Sequence, residues 1–193
     1  MSDSCLHHVL TAPSAWVTRF APLIGAGEVL DLACGSGRHA KWLAGRGHVV
    51  VAVDRDEAAL ALAAGAGIRT VQADLEGENE PVWPFEAGRF AAIVVTNYLH
   101  RPLFPYLIRS LAKDGVLIYE TFAMGNERFG KPSSARFLLQ PAELLQLCSG
   151  LKVLAFEDGY IHHPKPAMVQ RICAVKADAE ISPERLQLNA TLN

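Results

Sequence analysis

Nowhere in the 193 residues do apolar side chains run unbroken for the ~18 positions that a membrane-spanning helix needs, so no such span is expected. The opening MSDSCLHHVLTAPSAW lacks a basic stretch leading into an apolar one, so no secretory signal is read there and the cytoplasm is the expected location. Cysteine is scarce: Cys5, Cys34, Cys148 and Cys173 show neither CxxC spacing nor a disulfide framework, and reduced thiols are expected. Neither sign of charge dominates, since the net charge is -2. That excludes a generally basic surface for nucleic acid or anionic lipid and leaves only local patches open. Repeats and low-complexity tracts are absent too. What is present, 50% hydrophobic and 20% charged residues, suits one globular domain, expected over residues 1–177, with a polar tail over 178–193. The sequence assigns no oligomeric state.

Short apolar runs alternate with helical patterns. EVLDLA (28–33), HVVVAV (48–53), IRTVQA (68–73), FAAIVVT (90–96) and GVLIYET (115–121) read as five parallel strands buried on both faces. Between them RHAKWLAGRG, DEAALALAAGAG and RPLFPYLIRSLAKDG carry apolar residues at helical spacing with a glycine at or beyond the end. The third-to-fourth crossover, with Pro81 and Pro84, reads as a loop. After the fifth strand, FAMGNERFGKPSSARF is a long loop of the kind that carries function. QPAELLQLCSG then predicts a helix with Pro141 in its first turn, and LKVLAFEDGY and PAMVQRICAVKA an antiparallel pair joined by residues 158–166. An N-terminal helix in PSAWVTRFAPLI packs Trp16, Phe20 and Leu23 on the sheet or over its cleft. The expected fold class is α/β: a doubly wound, mostly parallel, Rossmann-like sheet of seven strands with a C-terminal antiparallel hairpin.

Chemistry concentrates at VLDLACGSGRHA (29–40), where the first strand runs into a glycine turn. In an open α/β sheet, ligands lie beyond the carboxyl ends of the strands, where the strand order reverses. Gly35 and Gly37 allow close backbone approach, and with Ala40 they satisfy GxGxxG/A, a dinucleotide pattern that is weak alone. Asp31, four residues before Gly35, would repel a diphosphate and attract an ammonium or sulfonium such as those of S-adenosylmethionine. Asp54, ending the second strand, offers acceptors to a ribose diol, and Asp74, ending the third, to an adenine amino group. Each aspartate alone reads equally as a cap or turn former. Trp83 and Phe85 stand where they stack beside the adenine or fill the core.

Taken in order, VLDLACGSGRHA, VVVAVDRD, VQADLEG, WPFEAGRFAAIVVTNYLH and LAKDGVLIYET resemble the motifs of the class I S-adenosylmethionine-dependent methyltransferases, over residues 28–121, and the GSGRHAKWLAGRGHVVVAVD style is similar to the small tellurite-resistance-type enzymes. That resemblance implies S-adenosyl-L-methionine as cofactor. It places Asp31 near the methionine end, Gly35 and Gly37 beneath methionine and ribose, Asp54 on the ribose diol, Asp74 and the Leu75 amide at the adenine, and Thr96 and Asn97 near the methionine; Ala33 and Arg55 are counted as cofactor-binding with them.

Methyl transfer from a sulfonium releases a neutral thioether, so positioning does most of the work and a base is needed only where the nucleophile must lose a proton. Tyr98, His100 and Glu120 are the candidate catalytic residues, with Asn126, Arg128 and Lys131 in the following loop; Glu120 reads alternatively as paired with Arg128. TNYLH (96–100) lacks the Asn-Pro-Pro-Tyr motif associated with amino-group methylation of adenine or glutamine. His162–His163 has no further ligand at metal-binding spacing, so it reads as a polar turn near the substrate mouth and not as a metal site. A small-molecule acceptor is expected. The rivals are a dinucleotide-dependent oxidoreductase, a non-catalytic cofactor-binding partner protein, and an RNA or protein methylase whose Arg101, Arg109, Arg128, Lys131 and Arg136 gather on one rim.

Overall fold

A computed structural model describes residues 12–78 and 80–177; Cys5, His7, His8 and the expected polar tail lie outside them. Seven strands form one sheet in the order β3-β2-β1-β4-β5-β7-β6: β1 (Glu28–Leu32), β2 (Val49–Asp54), β3 (Ile68–Gln72), β4 (Phe90–Thr96), β5 (Leu111–Phe122), β6 (Lys152–Ile161) and β7 (Ala167–Val175). The first five are parallel neighbours, and β7 runs antiparallel between β5 and β6.

The period-2 geometry of strands sorts the core into two layers. Val29, Val50 and Ala52 face α1 (Ala15–Phe20), α2 (Arg38–Ala44) and α3 (Glu57–Ala63), packing with Trp16, Leu43 and Leu60. Leu30, Leu32, Val51 and Val53 face the other way, toward α4 (Phe104–Ser110) and α5 (Glu143–Leu147). Local chemistry sets the helix starts. Ser14 Oγ accepts from Trp16 N at the head of α1, and Asp56 accepts from Ala58 N and Ala59 N at the head of α3. The α1 helix is locked on the sheet by Trp16 Nε1, which donates to the Ile172 carbonyl at 3.2 Å.

Several expected boundaries shift. The run LAKDG belongs to β5 rather than to the helix before it, because α4 ends at Ser110 where Leu111 turns to extended backbone. Pro141 precedes α5 instead of opening it, since left-handed Ala142 stands between them. The hairpin turn is 162–166, shorter than expected, because residues 158–161 keep pairing with β7. Trp83 donates to Ser110 Oγ at 2.8 Å and, with Phe85 edge-on at 5.3 Å, packs into the core beneath α4 rather than beside a ligand.

Candidate functional site

Two cavities open at the carboxyl end of the parallel strands, and Asn97 and Phe122 line both. The first, about 490 Å³, is bounded by Ala33, Asp54, Arg55, Asp74, Leu75 and Tyr98, and on its far wall by Pro132, Arg136 and Phe137 of the long loop. The second, about 330 Å³, lies against residues 12–15, Arg38, Glu120 and the β6–β7 turn.

Backbone strain marks the join between strands and site. Ala33 at φ +52° and Asn97 at φ +56° are left-handed non-glycine residues at the ends of β1 and β4, and both line the first cavity. Asn97 is held there by its amide, which donates to the Glu120 carbonyl at 2.9 Å. Asp54 Oδ2 accepts from Gly35 N at 2.8 Å and Oδ1 from Asp56 N at 3.0 Å, so the carboxylate braces the glycine turn from below. A carboxylate has about four acceptor sites, which leaves roughly two directed elsewhere. Gly35, at φ +52°, has nothing within 4 Å of where a Cβ would stand. Asp74 is braced in the same manner by Glu76 N at 3.1 Å.

Asp31 is placed differently from its expected position near a ligand. It lies buried in the core, lines neither cavity, and accepts from Ala40 N at 2.8 Å, satisfying an amide in the first turn of α2. Burial pushes its pKa up to about 7, against the lowering effect of the Ala40 amide and Arg38. The repulsion expected of a full charge at this position is therefore replaced by a different obstacle to a diphosphate. The amides of Gly35, Gly37 and Ala40 already serve Asp54, the Cys34 carbonyl and Asp31. Gly35 and Gly37 also line neither cavity; Gly37 packs on Ala63.

Thr96 turns to His39 Nδ1 at 3.4 Å rather than into a cavity, and His39 Nε2 accepts from Ser14 N at 3.1 Å. Burial, with Arg38 adding to it, lowers the His39 pKa to about 3, so the ring is neutral. Asp31 and His39 therefore work against each other in acid. Asp31, with its folded value raised above 3.8, withdraws stability as pH climbs toward about 7; His39, depressed from 6.5, withdraws it as pH falls toward about 3. The wild-type melting temperature should be nearly flat between these limits. Asp31→Asn should unmask a rise in stability with pH and His39→Gln a fall, each on the order of a few kcal/mol across the window, measured by thermal unfolding from pH 4 to 7. Parallel slopes in both variants would refute the compensation.

Of the candidate catalytic residues, Tyr98 lines the first cavity, and burial together with Glu76 and Asp74 raises its pKa, so the phenol stays protonated. His100 faces Glu76 Oε2 at 3.8 Å, precedes the 3₁₀ turn Arg101–Leu103, and lines neither cavity. Glu120 lines the second cavity, where it accepts from Ser14 Oγ at 2.9 Å and pairs with Arg171; the expected pairing with Arg128 is not formed. The long loop is ordered instead by Arg101, which grips Glu143 and donates to the carbonyls of Arg136 and Leu138 at 2.8 and 2.9 Å, and by buried Asn126, which donates to the Pro132 carbonyl at 2.9 Å. Sequence reasoning missed the loop's Pro132 and Phe137 and, although it named Asn97 and Glu120, did not join them into a second cavity. Only the length of the loop hinted at Pro132 and Phe137.

Comparisons with known proteins agree with this geometry. Residues 29–115 match a family model described as a methyltransferase domain. The fold is similar to that of a methyltransferase from Methanosarcina mazei described as SAM-dependent (14% identity, TM-score 0.66, covering 86% of this chain and 99% of that one). It is also similar to TehB from Haemophilus influenzae (19%, 0.66, 85% and 62%), and to geranyl diphosphate C-methyltransferase from Streptomyces coelicolor A3(2), solved with Mg2+, geranyl diphosphate and S-adenosyl-L-homocysteine (17%, 0.62, 83% and 79%). No curated protein matches the sequence. The sheet order places the carboxylate-rimmed cavity at the switch point, where ligands of open α/β sheets lie. Residues 29–115 thus match a methyltransferase domain, and the fold around them is the one shared with these solved structures. Among the described residues no helix is long and apolar enough to cross a membrane.

Proposed function

We propose that the protein holds S-adenosylmethionine in the first cavity and passes its methyl group to a small-molecule acceptor. The observation that carries this reading is the convergence of Asp54 and Asp74, from the ends of two adjacent strands, on one cavity with Ala33, Leu75 and Asn97. Asp54 accepts from the ribose diol through its remaining lone pairs, with Arg55 alongside. Asp74 and the Leu75 amide meet the adenine, while Ala33 and Asn97 face the methionine. Three carboxylates, Asp54, Asp74 and Glu76, stand here against Arg55 and Arg136, a balance that favours a cationic nucleoside over a dinucleotide.

When bound, the cofactor supplies a methyl group on a positively charged sulfur that leaves as a neutral thioether. The chain's own part is to orient and to exclude water. Tyr98, whose phenol burial and the nearby Glu76 and Asp74 hold protonated, donates a hydrogen bond or packs against the bound molecules. A small acceptor is supported by the state of the expected basic rim, where Arg101 is neutralised by Glu143 and Arg136 by Glu76.

Calorimetric titration with S-adenosylhomocysteine and with NAD+, followed by transfer of labelled methyl to a metabolite, RNA and protein panel, tests the reading. Binding of the first ligand alone and label in the low-mass fraction are expected. Binding of NAD+ alone would return the oxidoreductase, absence of any turnover the non-catalytic partner, and label in RNA or protein the polymer acceptor.

A further inference from the structure

We propose that the second cavity is the acceptor site and that it selects an acceptor with a small apolar body ending in a carboxylate or a comparable compact anion. This rests on the cofactor occupying the first cavity.

Three cations, Arg38, Lys165 and Arg171, line a space in which Glu120 is the one acid among the described lining residues. That acid is already committed to Arg171 and to Ser14 Oγ. Arg171 is held between two carboxylates, ion-paired with Glu120 and with Glu157 at 3.2 Å. Arg38 is not matched in this way. It is partly buried, and its contact is with the Ala12 carbonyl at 3.4 Å, at the long edge of hydrogen bonding. Lys165, in the β6–β7 turn, rests its ammonium 5.8 Å from the centre of the Phe122 ring. Glu120 and Asp31 act on Arg38 only from beyond contact distance, and none of the described residues sets a carboxylate against it, so this partly desolvated guanidinium presents a planar pair of donors suited to an added carboxylate.

The rest of the wall is apolar: Phe122, Ile161, Pro164 and Val169. At about 330 Å³ the space is near the lower end of ligand-site volumes, enough for one small molecule. The charge balance reverses across Asn97 and Phe122, the residues common to both cavities: acids dominate on the cofactor side and cations on the other. A cationic donor and an anionic acceptor are thus drawn to opposite sides of one boundary, which is where a methyl group would change hands.

The test uses the full chain saturated with S-adenosylhomocysteine and a pair of probes alike in shape but not in charge, benzoate and benzamide, with affinities from chemical-shift titration. Benzoate should bind at least tenfold more tightly than benzamide. Lys165→Gln, on an exposed turn where folding is not at stake, and Arg38→Gln should each weaken benzoate fivefold or more. Affinity for S-adenosylhomocysteine, measured separately by calorimetry, should stay within twofold in Lys165→Gln. Equal binding of the two probes, or unchanged benzoate affinity in Lys165→Gln, overturns the proposal while leaving the cofactor site intact. Displacement of S-adenosylhomocysteine by benzoate also overturns it, by assigning the cations to the methionine carboxylate. Failure of the wild-type chain to bind S-adenosylhomocysteine at all sinks the reading of the first cavity, and this one with it.

Discussion

Asp54→Ala is expected to weaken S-adenosylhomocysteine binding by on the order of a hundredfold or more, the sum of two charge-assisted hydrogen bonds to the ribose diol at roughly 1.5–3 kcal/mol each. The same side chain also braces the glycine turn through Gly35 N at 2.8 Å and its own loop through Asp56 N at 3.0 Å. Loss of affinity in the alanine variant would therefore mix ligand contact with turn distortion. Asp54→Asn separates the two. Its amide oxygen still receives one backbone N–H, but its NH₂ donates where the diol needs an acceptor, and its charge is gone. The asparagine variant should melt close to wild type and still bind at least tenfold more weakly in calorimetry. Wild-type affinity in Asp54→Asn would show that the carboxylate only shapes the turn and would remove the cofactor from this cavity.

That double duty shows where the sequence speaks and where it falls silent. Strands buried on both faces declare themselves through unbroken apolar runs, so β1, β2 and β4 and the antiparallel hairpin were legible, as was the absence of a helix between β3 and β4 among the described residues. Asp54 and Asp74 were legible as residues that line the first cavity because a strand end in a parallel sheet has one destination, the switch-point cleft. Asp31 was misread for a reason its parity contains. It shares a face with Val29, the face covered by α1, α2 and α3, and it lies one residue short of the strand end, so it meets the first turn of α2 instead of the cleft. Of the second cavity the sequence marked only single wall residues, Asn97 and Glu120, and not the space between them. Its walls come from residues 12–15, Arg38, Glu120 and the β6–β7 turn, brought together only by the sheet order that sets β7 beside β5.

The two glycines of the turn look interchangeable in sequence and should separate sharply in the laboratory. Gly37 sits at φ +77°, and a Cβ there would stand 2.6 Å from Ala63 Cβ and 2.8 Å from Ala63 Cα, so α2 and α3 would have to part. A left-handed alanine costs roughly 1–2 kcal/mol and forced overpacking about 1–3 kcal/mol more. Gly37→Ala should therefore lose about 3 kcal/mol and, for a chain of this size, roughly 10 °C in melting temperature. Ala63→Gly in the same chain should recover part of that loss, because it removes the nearer of the two clashing atoms while the Cα remains. Gly35→Ala carries the backbone term without the clash, since φ is +52° and no atom lies within 4 Å, so its melting temperature should fall by only a few degrees. Its penalty is expected in binding, because the turn at Gly35 is tied to Asp54 and the added methyl would stand in open space beside it, so S-adenosylhomocysteine affinity should drop at least tenfold. Thermal unfolding of both variants, with and without S-adenosylhomocysteine, reads both effects. If Gly35→Ala proves the less stable, or keeps full affinity while Gly37→Ala folds normally, then the packing role and the ligand role have been assigned to the wrong glycines.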